Sequence, residues 1–231
     1  MKRLSNWIFD LGAPIYALGT NQVVWRASGA ELARHFPPTR GLLVLDLGTG
    51  PAISIAAMHR ARPDTRFVGL DISAGMLAQA RRRLQIEARS DAPTLVASLV
   101  RADAAALPFA GAAFAVVTGH SFLYLLPDPV AALRETRRVL QLGGSAIFME
   151  PHAAPVHLGS LLHELRHVRY LITMAGWRLF SALHRRYTPQ RFAAEAEAAG
   201  LIPLATRPVL HNLGLICLAR RPEHRDHTGN E

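Results

Sequence analysis

A single cysteine among 231 residues excludes an intrachain disulfide, and Cys217 lies inside the apolar run Leu213 to Ala219, where a buried core thiol is expected. A reducing, cytoplasmic setting is the matching expectation. Acidic residues are scarce as well: 17 Asp and Glu against 26 Lys and Arg leave a formal charge of +9, which suits an acidic partner or an anionic surface. Long apolar runs are missing, so no segment has membrane-spanning length. The apolar patch behind Lys2 and Arg3 is broken by Asp10 and Pro14, short of a secretory signal core. No internal repeat is present. What remains is one soluble domain over 1–231, half of it hydrophobic and long enough for a single sizeable core.

Short apolar runs alternate with helix-length gaps, which predicts an α/β fold with a mostly parallel sheet and helices on both faces. Strands are expected near 42–47, 66–71, 95–101, 113–118, 144–150, 201–206 and 213–219. The last two have no helix between them and should pair as an antiparallel hairpin at the sheet edge. Leu126-Pro127-Asp128-Pro129 opens a helix with Asp128 as its cap and Pro129 in its first position. That helix should run through Arg137-Arg138 to Gly143-Gly144, where glycine stops it and the strand Ser145 to Glu150 begins.

The first strand ends in Val44-Leu45-Asp46-Leu47-Gly48-Thr49-Gly50-Pro51-Ala52, and the second in Phe67-Val68-Gly69-Leu70-Asp71-Ile72-Ser73. Two close glycines let a ligand approach the backbone, and an acid at the tip of the next strand accepts from ribose hydroxyls. An adenosine-containing ligand is implied. A dinucleotide would need a third glycine where this chain has Ile53, and Asp46 would repel a pyrophosphate while favouring a cation. A nicotinamide dehydrogenase is therefore disfavoured. The sulfonium and ammonium of S-adenosylmethionine are cations of the favoured kind. At these residues the chain resembles the Rossmann-like, class I S-adenosylmethionine-dependent methyltransferases, with Ala52 where that family often has a third glycine.

The resemblance implies S-adenosyl-L-methionine as cofactor and a seven-stranded sheet. It places Asp46, Gly48, Thr49 and Gly50 in the first cofactor turn and Asp71 with Ile72 at the second strand end. Asp103 and Ala104, in Arg101-Ala102-Asp103-Ala104, follow the third, where an Asp accepts from the adenine amino group, and Gly119 closes the fourth. A sulfonium methyl is already activated, so such a site mainly excludes water and holds the nucleophile in line.

Phe9-Asp10, Ala13-Pro14, Tyr16 and Trp25-Arg26, with the late segment Tyr187-Thr188-Pro189-Gln190-Arg191-Phe192, look like the ubiquinone and menaquinone biosynthesis methyltransferases. Those enzymes carry an Arg-Asn pair after the fourth strand, and this chain has Gly119-His120-Ser121-Phe122 there. The implied acceptor is a hydrophobic small molecule: a quinol, another aromatic or a lipid-like compound. Tyr16, His120, Tyr124 and Trp177 are the candidate pocket walls, and His120 and His152 the candidate bases. Glu150 reads equally well as a satisfied strand-end carboxylate. Phospholipid N-methylation at the membrane surface is the alternative. Nucleic-acid methylation fits the charge, but the Asn/Asp-Pro-Pro-aromatic motif of base amino-methylating enzymes is absent, so no nucleic acid is expected. Carbon methylation through a cysteine lacks its nucleophile, and a non-catalytic binding module has no positive support.

Three parts lie outside this core: a helical N-terminal segment at 1–38, a helical insertion at 151–188, and a tail at 221–231 expected to be disordered. In the insertion Leu161, Leu165, Val168, Ile172, Ala175, Leu179 and Leu183 recur at helical spacing, while Arg166, His167, Arg178, Arg185 and Arg186 fall largely off that face. Either the stripe packs on the core beneath a solvated basic face, or the helix is a lid whose apolar side covers a hydrophobic substrate, with Trp177 and Phe180 as interfacial anchors and arginines that attract an anionic membrane. His163-Glu164-Leu165-Arg166-His167 matches the zinc-protease spacing, but Arg166 and the surrounding methyltransferase pattern argue against a metal there.

Overall fold

The computed structural model describes residues 23–88, 96–155 and 168–224. Helix α1 (Val23–Ala33) leads into β1 (Leu43–Leu47), which is buried from Val44 to Leu47, as a central strand covered on both faces must be. Helix α2 (Ile53–Ala61), β2 (Arg66–Asp71), α3 (Ala74–Ala88), β3 (Ala97–Arg101) and β4 (Phe114–His120) follow. A 3-10 turn (Leu123–Leu125) precedes α4 (Pro129–Val139), β5 (Leu140–Pro151), α5 (Val168–Ala182), α6 (Pro189–Ala198), β6 (Ile202–Val209) and β7 (Gly214–Arg220).

The strands form one sheet in the order β3-β2-β1-β4-β5-β7-β6. The first five run parallel, and β7 is antiparallel to both β5 and β6. This is the expected Rossmann-like sheet with its C-terminal hairpin. Pro203 and Pro208 lie in the edge strand β6, where a residue without an N–H blunts pairing with a further chain. One core layer, including Leu45, Leu133, Phe148 and Phe192, lies under α4 and α6; the other, including Leu32, Val44, Met58, Phe67 and Met174, lies under α1, α2, α3 and α5. Strand order reverses between β1 and β4. That point leaves a crevice beyond the strand ends, where open α/β sheets place ligands.

Asp128 caps α4 by accepting from the Ala131 amide at 3.0 Å, with Pro129 in the first position as expected. The other end of α4 differs. The helix ends at Val139, and Leu140 already pairs with Phe114 as the first residue of β5. Gly143 and Gly144 therefore do not stop the helix; they form an irregularity inside the strand, at a register shift between Phe114 and Val116. Gly143 has φ +70°, and a side chain on Gly144 would come within 2.8 Å of the Gln141 carbonyl.

Helix α5 is also turned differently from expectation. Met174, Trp177 and Ser181 are its buried face, whereas Ile172, Ala175, Leu179 and Leu183 point outward. Both faces are apolar, so periodicity alone selects neither. Trp177, at 8 % exposure, is thus no surface anchor. Arg178 donates to the carbonyls of His152 and Ala154 at 2.6 and 2.8 Å, and Arg186 to the Arg178 carbonyl at 2.5 Å. Arg178 thus ties the helix to the end of β5 and Arg186 braces the last turn of the same helix, so neither is a free basic group. The His163–His167 motif and Tyr16 lie outside the described residues, as do 225–231. Among the described residues no group of three or more His, Cys, Asp or Glu is arranged to hold a metal ion, and no helix is long and apolar enough to cross a membrane.

Candidate cofactor and acceptor site

The turn after β1 has a left-handed backbone at Gly48 (φ +61°), Gly50 (φ +51°) and Ala52 (φ 58°). Hydrogen bonds from Thr49 N to Leu70 O and from Ala52 N to Thr49 O, both 2.9 Å, pin the turn to β2 and start α2. A Cβ on Gly48 would lie 2.2 Å from the Phe122 ring, while one on Gly50 would meet nothing nearer than 3.9 Å. The backbone at Gly50 is thus open to a ligand. Ala52 occupies the position where a third glycine relieves strain, and a left-handed alanine costs roughly 1 kcal/mol relative to glycine. Ala52→Gly is expected to raise the melting temperature slightly with cofactor affinity unchanged, as thermal melts and calorimetry would show.

Asp71 joins the two strand ends. Its Oδ2 accepts from the Gly50 amide and its Oδ1 from the Ser73 amide, each at 2.9 Å. Asp46 is 1 % exposed and accepts from the Thr118 hydroxyl at 2.8 Å across the β1–β4 pair. Burial raises its pKa to about 6; the Thr49 and Thr118 hydroxyls oppose the shift and the Asp71 charge reinforces it. No cation is among the groups that shift it. Two carboxylates beside an open glycine turn favour a positively charged ligand and disfavour a pyrophosphate.

Ile72 is 41 % exposed next to Asp71, and Ala104 is buried beside the exposed Asp103. One oxygen of Asp103 accepts from the Ala105 amide at 2.9 Å, and Arg101 donates to the Ile72 carbonyl at 3.0 Å, tying the ends of β2 and β3. Gly119 pairs with Leu47 in the register, and a Cβ there would lie 2.7 Å from the Phe148 ring. The structure therefore gathers Asp46, Gly48, Thr49, Gly50, Asp71, Ile72, Asp103, Ala104 and Gly119 along one edge of the sheet.

The acceptor-side candidates collect at the ends of β4 and β5. His120 Nε2 lies 2.7 Å from the Ser28 hydroxyl of α1, and burial lowers the His120 pKa to about 4, so the imidazole is neutral at neutral pH. The chain then turns through Ser121, left-handed at φ 55°, and its next three amides converge on Glu150. Phe122 N and Leu123 N donate to Oε1 at 3.1 and 2.8 Å, and Tyr124 N to Oε2 at 3.2 Å. Burial pushes the Glu150 pKa up to about 8 despite these donors, with Glu195 adding in the same direction. The satisfied-carboxylate reading of Glu150 thus describes what is seen. Tyr124 packs edge-on against Phe180 and His184 of the α5 segment. His152, 8 % exposed, has Nδ1 2.9 Å from Asn212 Oδ1, in a turn where Leu210, His211 and Asn212 are all left-handed. Ser28 and Asn212 carried no sequence signal, because each meets its partner only across the tertiary fold.

Comparison with known proteins agrees with this geometry. A family model described as a methyltransferase domain matches residues 45–148. The demethylmenaquinone methyltransferase of Thermus thermophilus is 31 % identical over 186 residues, 80 % of each chain. The ubiquinone/menaquinone biosynthesis C-methyltransferase UbiE of Xanthomonas campestris is 36 % identical over 146 residues, 62 % of this chain and 53 % of that one. The aligned region thus spans about half the length of the second relative. A solved S-adenosylmethionine-dependent methyltransferase from Aquifex aeolicus superposes with a TM-score of 0.62 at 13 % identity, covering 84 % of this chain and 89 % of that one, a likeness of fold alone. Fold, turn chemistry and relatives together define an enzyme of the class I methyltransferase type. The chain belongs to the S-adenosylmethionine-dependent methyltransferases, and the two relatives described are named as a demethylmenaquinone methyltransferase and a ubiquinone/menaquinone biosynthesis C-methyltransferase.

Proposed function

We propose that this enzyme transfers the methyl group of S-adenosylmethionine to a hydrophobic, quinol-type aromatic acceptor by in-line displacement. The carrying observation is the pairing of an acid-lined cofactor turn with an uncharged acceptor wall. The cofactor, when bound, supplies an electrophilic sulfonium methyl. The Gly48–Gly50 turn offers its backbone, Asp71 accepts from the ribose, Asp103 from the adenine amino group, and Asp46 balances the cationic methionine end. Ile72, Ala104 and Gly119 shape the adenine and methionine walls. Tyr124, packed against Phe180 and His184, forms an apolar wall that excludes water, whereas Trp177 fills the core layer with Met149 and Leu213. His152, at the end of β5, takes a proton from the acceptor, while His120, beside the Ser28 hydroxyl and held neutral by burial, is a wall of the pocket.

The site disfavours the phospholipid alternative. At the end of β4 a phosphate would meet the neutral imidazole of His120. Incubation with labelled cofactor and either a reduced demethylated naphthoquinone or phosphatidylethanolamine separates the two readings. Methylated quinol is the expected product; label in the phospholipid alone would sink the proposal.

Asp46 also sets a pH dependence. Its folded pKa is raised, so folding favours the protonated acid, and that contribution is lost as pH rises from 3.8 through about 6. A cationic cofactor prefers the ionised form, so affinity should move the opposite way. Calorimetry between pH 5 and 7 is expected to show the dissociation constant falling by roughly three- to tenfold, at most tenfold per unit. Asp46→Asn should flatten the profile. A steep profile in that variant would remove Asp46 from the role.

A further inference from the structure

Helix α5 carries a second apolar face that nothing in the described structure covers. Ile172 is 67 %, Leu179 71 % and Leu183 78 % exposed, with Ala175 exposed between them and Phe180 at 40 % beside them. Of the ten large hydrophobic side chains exposed among the described residues, four fall within these twelve positions. Isolated exposed apolar residues are ordinary, whereas a contiguous stripe marks a contact surface. The face is also held firmly. Arg178 fastens the helix to the His152 and Ala154 carbonyls, and Phe180 and His184 pack on each other and on Tyr124.

Charge decides which occupant fits. The chain carries a formal charge of +9, and from Leu165 to Arg186 it has five arginines, Arg178 and Arg186 of them bonded to backbone carbonyls, and no acidic residue. A second copy docking through the same face in a two-fold dimer would bring two such net-basic segments together. The chain's own segment 1–22 offers Lys2 and Arg3 against the single acid Asp10. An anionic bilayer supplies both an apolar layer and negative charge. We propose that the outer face of α5 docks on an anionic lipid bilayer, with Ile172, Leu179, Leu183 and the edge of Phe180 seated at headgroup depth. The aromatic contact between Phe180 and Tyr124 then places the acceptor side of the enzyme next to the lipid surface. This proposal does not depend on which acceptor is methylated.

The test is sedimentation of the full chain with vesicles of phosphatidylcholine, with and without phosphatidylglycerol, at low and high salt. Binding is expected to the anionic vesicles and to weaken with salt, because charge attraction at a surface decays within a Debye length. The double variant Leu179→Ser, Leu183→Ser alters only well-exposed positions, so it should fold and bind cofactor as the parent does. Its partition constant is expected to fall by about tenfold or more, the scale of two leucines withdrawn from an apolar layer. The proposal is overturned by a parent protein that stays in the supernatant with both vesicles, or by a variant that binds as well as the parent. Light scattering that shows a dimer dissolved by the same two substitutions would overturn it in favour of a second copy.

Discussion

Asp71→Ala is expected to weaken S-adenosylmethionine binding by roughly 10- to 150-fold, the equivalent of about 1.5–3 kcal/mol for hydrogen bonds to a charged group. The carboxylate does two things at once. In the proposed site it presents an acceptor to the ribose, and in the structure it holds the Gly50 and Ser73 amides that shape the turn. Asp71→Asn keeps the volume and one acceptor oxygen, so it should lose less. Calorimetry on both variants measures the difference, with circular dichroism as a control on folding. An alanine variant that binds cofactor as tightly as the parent would take Asp71 out of the site.

Glu150→Ala should be the most destabilising single change described for this chain. It strands the amides of Phe122, Leu123 and Tyr124 in a fully buried place, and each unsatisfied buried group costs about 1–3 kcal/mol. Three such groups approach the total stability of an ordinary domain, about 5–15 kcal/mol. At about 2–4 °C per kcal/mol for a chain of this size, the melting temperature is expected to drop by about 10 °C or more. Activity should fall even well below that temperature, because the same turn sets Phe122 against Gly48 and Tyr124 against α5. Glu150→Gln retains one acceptor and should fall between. A melting temperature unchanged by the alanine substitution would show that the carboxylate does not organise the turn.

These two residues mark the boundary of what the sequence discloses. Asp71 is legible because its chemistry is local: an acid at a strand tip, a fixed distance after a glycine turn. The central strands are legible for a related reason, since buried apolar runs such as Val44 to Leu47 read as strands between turn signals. The edge strands β3 and β6 are exposed or half-buried throughout and follow from their place in the alternation. The role of Glu150 depends on three backbone amides that converge only after Ser121 turns left-handed, and no residue pattern announces that. Ser28 and His120 are 92 positions apart, and their contact exists only because α1 returns to the end of β4.

Two misreadings have equally physical causes. Gly143-Gly144 carries the composition of a helix stop, yet Leu140 to Leu142 already extends β5 opposite Phe114, and pairing prevails over local punctuation. In α5 the spacing of Ile172, Ala175, Leu179 and Leu183 is helical, but Met174, Trp177 and Ser181 repeat at compatible steps on the other side. Volume decides between them. The indole of Trp177 fills the core layer shared with Met149 and Leu213, and the smaller aliphatic stripe is left outside.

The central claim, methyl transfer from S-adenosylmethionine to a hydrophobic small molecule, is tested most directly by incubating the protein with methyl-labelled cofactor and a lysate separated into organic-soluble, small-polar and nucleic-acid fractions. Label is expected in the organic-soluble fraction, on a compound whose mass rises by one methyl group and whose labelling stops with Asp71→Ala. Label confined to the nucleic-acid or small-polar fraction would contradict the account.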